Sequence, residues 1–383
     1  MKAIKKLLLA LAPTIVMLLL FGLGFLACYF VIGKVFDNEI QGEAKAYTLG
    51  RLLKDSPEKR SALASTYYDP GKALQMLSDI SWAVPNIPTP FVGTAPTPGQ
   101  HGNAHINSMQ FRAGKELEMP KPANTYRIFI TGGSTAYGSG APSDDQTIAG
   151  YLEAILAVQL TPSTKLKYEI FTMANPAWAS TQERIVIENL LSELEPDMVI
   201  SFSGVNDVHW GVRGRNVLWF RSYSDDFYWS LIKRVFILTR HPPMPENTRT
   251  EASPIAPALV AERLLKNVRI SLFALSGNKT DYVYVLQPAL AVTNKKLSSR
   301  EKSSLKIEDY FRLCYGLFAK DLMNLQGENY QFVDLSGMFD GFDEQDEIFM
   351  DSYHFGDRGN EKIAENLFLQ IKGRLARQAR PPA

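Results

Sequence analysis

The chain has 383 residues, 45% hydrophobic and 21% charged, an ordinary globular composition with room for one large α/β domain and additions to it. A formal net charge of +1 excludes a global field that would recruit nucleic acid or an acidic surface. Two cysteines, Cys28 and Cys314, the first inside an apolar N-terminal run, exclude a disulfide scaffold.

Lys2, Lys5 and Lys6 precede an uncharged run over residues 7–33, long enough to span a bilayer. Pro13 and several glycines interrupt it, which membrane helices tolerate. A cleaved secretory signal has a shorter apolar core and a small-residue cleavage site, and no good A-x-A site follows this run. Phe25-Leu26-Ala27-Cys28 is a poor lipoprotein box, because the run continues past the cysteine. Residues 1–34 therefore read as a cytoplasmic N-terminus and an uncleaved anchor in the inner membrane, rather than a processed signal or lipoprotein leader. Positive charge concentrated before the run places the remainder of the chain in the periplasm or outside the cell.

Residues 35–106 read as a juxtamembrane helical stalk followed by a Pro-rich linker. Helical spacing covers 39–53, 57–68 and 70–82, and Pro, Thr and Gly dominate 84–106. The main domain is expected over 107–383. Its apolar strand candidates are 127–131, 168–173, 198–202, 282–286 and 331–335. Helix candidates cover 147–159, 182–194, 258–275, 307–324 and 359–375. Strands alternating with helices in this way predict an α/β fold of three layers, α/β/α, around a five-stranded parallel sheet. Ligands of such sheets bind beyond the carboxyl ends of the strands, where Ser134, Asn206 and Gln287 all fall. An aromatic and basic insertion at 208–257 breaks the rhythm; it reads as a lid, a sugar-stacking wall or the packing of an added subdomain.

Ester hydrolysis needs a nucleophile, a base, an orienter for the base and donors for the oxyanion. Ser134, in Gly132-Gly133-Ser134-Thr135 directly after a strand, is the candidate nucleophile. Asp351-Ser-Tyr-His354 supplies an orienter and a base three residues apart, just before a helix. Gly204-Val-Asn206-Asp207 ends another strand and offers the Asn206 amide to an oxyanion, with Asp207 as a turn-capping residue. Other readings fail on spacing. Gly133 to Gly138 lacks the lysine of a phosphate loop, and Gly138-Ser-Gly140 lacks the last glycine of a dinucleotide fingerprint. His101 and His105 have no third ligand beside them, so no metal or cofactor is expected.

In this order the motifs resemble the SGNH/GDSL-type hydrolases over roughly residues 107–375. Gly133 stands where that family usually has Asp, Gly204-Val-Asn206-Asp207 matches Gly-x-Asn-Asp, and Asp351-Ser-Tyr-His354 matches Asp-x-x-His. The second block departs from the pattern: Asn175-Pro-Ala-Trp-Ala179 lacks the family's glycine, and Ala179 aligns best with its oxyanion donor. The resemblance implies catalysis by Ser134, His354 and Asp351, with Ser134, Ala179 and Asn206 forming the oxyanion hole. Gly133, Gly204, Trp178 and Trp210 are further candidates for substrate contact. The function it implies is an extracytoplasmic esterase acting on O-acyl, chiefly O-acetyl, groups of envelope carbohydrate. A polysaccharide O-acyltransferase with the same triad and a non-catalytic glycan-binding protein are the alternatives.

Overall fold

The computed structural model describes residues 2–47, 57–79, 86–214 and 253–378. The chain divides into two compact units, Met1–Asp55 and Ser56–Ala383. The first holds one helix, α1 (Lys2–Tyr47), with Pro13 inside it. Its segment Leu11–Lys34 is 24 residues long, apolar and unburied, which suffices in length and composition to cross a membrane.

The second unit opens with α2 (Pro57–Ala64) and α3 (Pro70–Asp79) and two antiparallel hairpins. These pair β1 (Asn86–Thr89) with β2 (Gly93–Pro96), and β3 (Gly99–His101) with β4 (Ala104–Ile106). Then come β5 (Thr125–Gly132), α4 (Ser134–Tyr137), α5 (Ile148–Gln159), α6 (Thr161–Thr164) and β6 (Lys167–Ala174). The middle of the unit is α7 (Ser180–Asn189), β7 (Met198–Ser203), α8 (Val205–Val212), α9 (Pro257–Ser276) and β8 (Asp281–Leu286). It closes with α10 (Ser299–Ser304), α11 (Glu308–Met323), β9 (Tyr330–Asp334) and α12 (Asp357–Gln378).

Strands β5 to β9 form one parallel five-stranded sheet in the order β6-β5-β7-β8-β9. Successive strand residues point to opposite faces, and here both faces are covered. Phe129, Val199 and Tyr284 pack with α7, α9 and α11 on one side. Ile130, Ile200 and Val285 pack with α5 and α12 on the other. This is the expected three-layer α/β/α arrangement, and double burial explains why the strands read as continuous apolar runs. All eight residues of β5 are buried. Because the chain leaves β5 toward one neighbour and returns through β7 on its other side, the β5–β7 boundary is the topological switch point where such sheets open a crevice.

The boundary expected at residue 107 is not a structural one. Of the stretch read as stalk and linker, the described residues 57–79 and 86–106 belong to the same compact unit as the sheet. Tyr67 is buried and donates its hydroxyl to the Gly140 carbonyl at 2.7 Å, and the Tyr68 amide donates to Asp357 at 3.0 Å. Of the aromatic insertion, 215–252 lies outside the described residues, and with it the expected lid or wall.

Candidate active site

Ser134 and Asn206 follow the ends of β5 and β7, the two strands that flank the switch point. Beyond β5 the chain turns at Gly133 into the short helix α4, so Ser134 occupies its first position. The Ser134 amide is then one of the N–H groups that a helix start leaves without an intrahelical acceptor. Beyond β7, Gly204 takes φ 118° to enter α8, and Asn206 stands in the first turn. A Cβ on Gly204 would meet Leu286 Cδ1 at 2.7 Å, so this glycine serves the turn and faces the core, not the substrate as expected.

The loop before α12 delivers His354. Asp351 Oδ1 accepts from the amides of Tyr353 and His354, both at 2.9 Å, an Asx-type turn that fixes the carboxylate. Its Oδ2 lies 2.7 Å from His354 Nδ1. A carboxylate only accepts, so Nδ1 carries the proton and Nε2 presents its lone pair. That Nε2 lies 2.7 Å from Ser134 Oγ. Burial works against the Asp351 carboxylate, but the His354 ring and the amides of Tyr353 and His354 outweigh it and hold the carboxyl below its ordinary value. Residues 351, 354 and 134, distant in the chain, are thus one hydrogen-bonded series.

Supports tie the loops together. Thr135 Oγ1 donates to the Tyr353 carbonyl at 3.1 Å and accepts from Gln287 Nε2 at 3.2 Å. The nucleophile turn, the end of β8 and the histidine loop therefore share one side chain. On the far side of that loop, Arg300 donates to the Met350 carbonyl at 2.9 Å.

The side-chain amide of Asn206 donates one hydrogen to the Trp178 carbonyl at 2.7 Å, leaving a second. It lies directly over Gly133: a Cβ there would come within 2.1 Å of Asn206 Nδ2. The second block differs from expectation. The Ala179 N–H already donates to Gln182 Oε1 at 3.1 Å, in the cap of α7, so it is not available as an oxyanion donor. In the same loop Ala177 takes φ 70°, a left-handed geometry that is uncommon outside glycine. Trp178 and Trp210 are buried, and their indoles donate to the carbonyls of Thr94 at 3.0 Å and Ala177 at 3.1 Å. Both pack the loop rather than face a substrate.

Two supports, Thr94 and Glu183, escaped sequence reasoning, and a third, Asp207, was expected as a cap but acts on a different element. Thr94, in the β1–β2 hairpin, accepts from Asn175 Nδ2 at 3.2 Å as well as from Trp178. Asp207 caps the start of α7, accepting from the Ser180 amide at 3.1 Å and the Ser180 hydroxyl at 2.6 Å. This locks Asn206's helix to the loop that Asn206 touches. Beneath it Glu183 is buried and accepts from Ser203. Burial, with the neighbouring Asp207 charge, pushes the Glu183 carboxyl up to about 8, and burial pushes Asp207 up to about 6. The only signal of Glu183 in the sequence is a polar residue within otherwise apolar helical spacing.

No protein-family model matches the chain, and no curated protein does. Among solved structures it is similar to a lipase/acylhydrolase from Enterococcus faecalis, at 15% identity and a TM-score of 0.41, covering 65% of this chain and 96% of that one. It is similar also to an alpha/beta hydrolase from the metagenome of Lake Arreo, Spain, at 14% identity and a TM-score of 0.40, covering 64% and 95%. A third is an acetyl xylan esterase, at 14% identity and a TM-score of 0.38, covering 64% and 99%.

Proposed function

We propose that the chain is a membrane-anchored serine esterase of the SGNH/GDSL type that removes O-acyl, chiefly O-acetyl, groups from envelope carbohydrate. The observation that carries this reading is the series Asp351–His354–Ser134, with both hydrogen bonds at 2.7 Å and the acceptor nitrogen facing the serine. The apolar segment Leu11–Lys34 supports the anchor. Lys2, Lys5 and Lys6 before it support an extracytoplasmic catalytic unit.

In this reading Ser134 Oγ attacks the ester carbonyl carbon while His354 Nε2 takes its proton. The carbonyl oxygen becomes an oxyanion, held by the Ser134 N–H and the free hydrogen of the Asn206 amide. Collapse breaks the bond to the alcohol oxygen, and His354 returns the proton to that leaving group. Water then enters by the same route, with His354 as base, and releases the carboxylic acid and Ser134. Asp351 keeps the proton on Nδ1 throughout and stabilises the imidazolium.

The test uses the full chain in detergent with 4-nitrophenyl acetate, with and without saccharide acceptors, and an active-site phosphonate mapped by mass spectrometry. Hydrolysis to free acetate and labelling at Ser134, both abolished in Ser134→Ala, are expected. Equal slow turnover by wild type and Ser134→Ala refutes the esterase, and acetylated acceptor in place of acetate reassigns the chain as a transferase.

A further inference from the structure

Helix α8 leads away from the site, and its register carries a second message. Asn206, Trp210 and Arg213 are spaced by four and three residues, so they line one face, with Arg213 as the C-cap. At 1.5 Å per residue, the Arg213 backbone lies about 10 Å from that of Asn206 along the helix. The buried Trp210 indole is pinned to the Ala177 carbonyl at 3.1 Å, and the Arg213 guanidinium sits 5.8 Å from its ring centroid. Stacking on a fixed ring pre-organises the planar fork of an arginine.

Arg213 is exposed. Among the described residues it forms no ion pair. Among the described residues of this helix face it is the one fixed charge. His209, edge-on to Trp210 at 5.3 Å, is lowered to about 4 by burial and then by Arg213, so it is neutral at physiological pH. Burial and Asp351 push the Tyr353 phenol up, and the Arg213 charge pulls it down. Arg213 is thus held against Trp210 at the end of the helix that carries Asn206.

We propose that Arg213 is a specificity residue that binds a carboxylate on the alcohol portion of the ester, so that the preferred substrate is an O-acylated acidic saccharide. An acetyl group carries no ionised group of its own. The charge must sit on the carrier. A guanidinium fork matches a carboxylate bidentately, giving geometry as well as attraction. This inference rests on the esterase reading above.

The test measures kcat/KM of the full chain in detergent for the acetyl ester of methyl glucuronide and for that of methyl glucoside. Wild type is expected to favour the uronide, and Arg213→Gln to lower the uronide-to-glucoside ratio about tenfold, the scale of one hydrogen-bonded charge contact. Arg213→Lys retains part of the preference, and added salt erodes it in wild type. Binding of both sugars to Ser134→Ala gives a readout independent of turnover, with the uronide binding tighter. A ratio unchanged by Arg213→Gln, in rate and in binding, overturns the proposal while leaving the esterase intact. A larger gain for the acetyl ester of glycerol phosphate than for the uronide overturns the saccharide assignment. Acetyl turnover that survives Ser134→Ala removes the esterase reading itself, and the specificity proposal with it.

Discussion

Replacing Asp351 by Asn probes the site most sharply, because the surrounding donors dictate which way the amide must lie. In the native protein one carboxylate oxygen accepts from two backbone amides at 2.9 Å and the other faces His354 Nδ1 at 2.7 Å. An asparagine has one oxygen. Placed toward the two amides, it keeps both bonds and turns its NH2 toward Nδ1. Placed the other way, it loses both bonds and sets donor against donor. At about 1 kcal/mol per neutral hydrogen bond, the first orientation is favoured by about 2 kcal/mol, a population bias of roughly thirtyfold. An NH2 facing Nδ1 makes that nitrogen the acceptor and moves the ring proton to Nε2, opposite Ser134 Oγ. The base then has no lone pair to offer. Asp351→Asn is expected to lower kcat on 4-nitrophenyl acetate by roughly 10³-fold or more, as loss of the correct tautomer does in serine triads. The thermal midpoint is expected to stay near wild type, because the turn is kept. The depressed Asp351 carboxyl stabilises the fold above its unfolded-state value near 3.8, and that contribution is lost as pH falls through its lower folded value. Acid loss of activity between pH 5 and about 4 is therefore not expected to arise at Asp351. Retention of kcat within about tenfold in Asp351→Asn, with the fold intact, would refute the tautomer argument.

Gly133→Ala drives a methyl group into the space of Asn206 Nδ2, 2.1 Å from the ideal Cβ. It is expected to lower kcat by about 10²-fold, comparable with Asn206→Ala, because both disturb one oxyanion donor; unequal losses in the two variants contradict a shared cause. Glu183 holds its proton in the fold up to about 8 against an ordinary value of 4.5. The folded state therefore retains a proton that the unfolded state has released, so stability is full below the ordinary value and falls as pH rises through the folded one, by up to about 1.4 kcal/mol per pH unit. Urea midpoints across that window are expected to slope downward in wild type and to flatten in Glu183→Gln; parallel slopes count against the assignment. A fragment covering 56–383, which matches the compact unit, is expected to fold and to hydrolyse aryl acetate. One covering 107–383 lacks Thr94 and Tyr67, and a cooperative thermal transition in that shorter fragment would show their contacts to be dispensable.

The sheet was legible because burial on both faces makes a parallel strand apolar throughout, and each of its strands begins and ends within about two residues of its apolar run. Ser134, Asn206 and His354 were legible because their positions follow from strand ends and a helix start. The second block was opaque for a different reason. Its geometry lies in the positive φ of Ala177 and in a Gln182 side chain closing on the Ala179 amide, and neither leaves a periodic trace. Trp178 and Trp210 look like substrate walls in a sequence, since aromatics near a motif suggest stacking. A buried indole N–H must find an acceptor, and the two carbonyls it finds here, of Thr94 and Ala177, are what hold the loop in place. The strands before residue 107 were opaque for another reason. Strands of three or four residues carry too few alternations to register as strands. Yet the Thr94 carbonyl accepts from two side chains of the loop whose glycine is missing, Asn175 and Trp178. The β1–β2 hairpin thereby holds two side chains of the loop that Asn206 touches, which is a structural role a linker reading does not foresee.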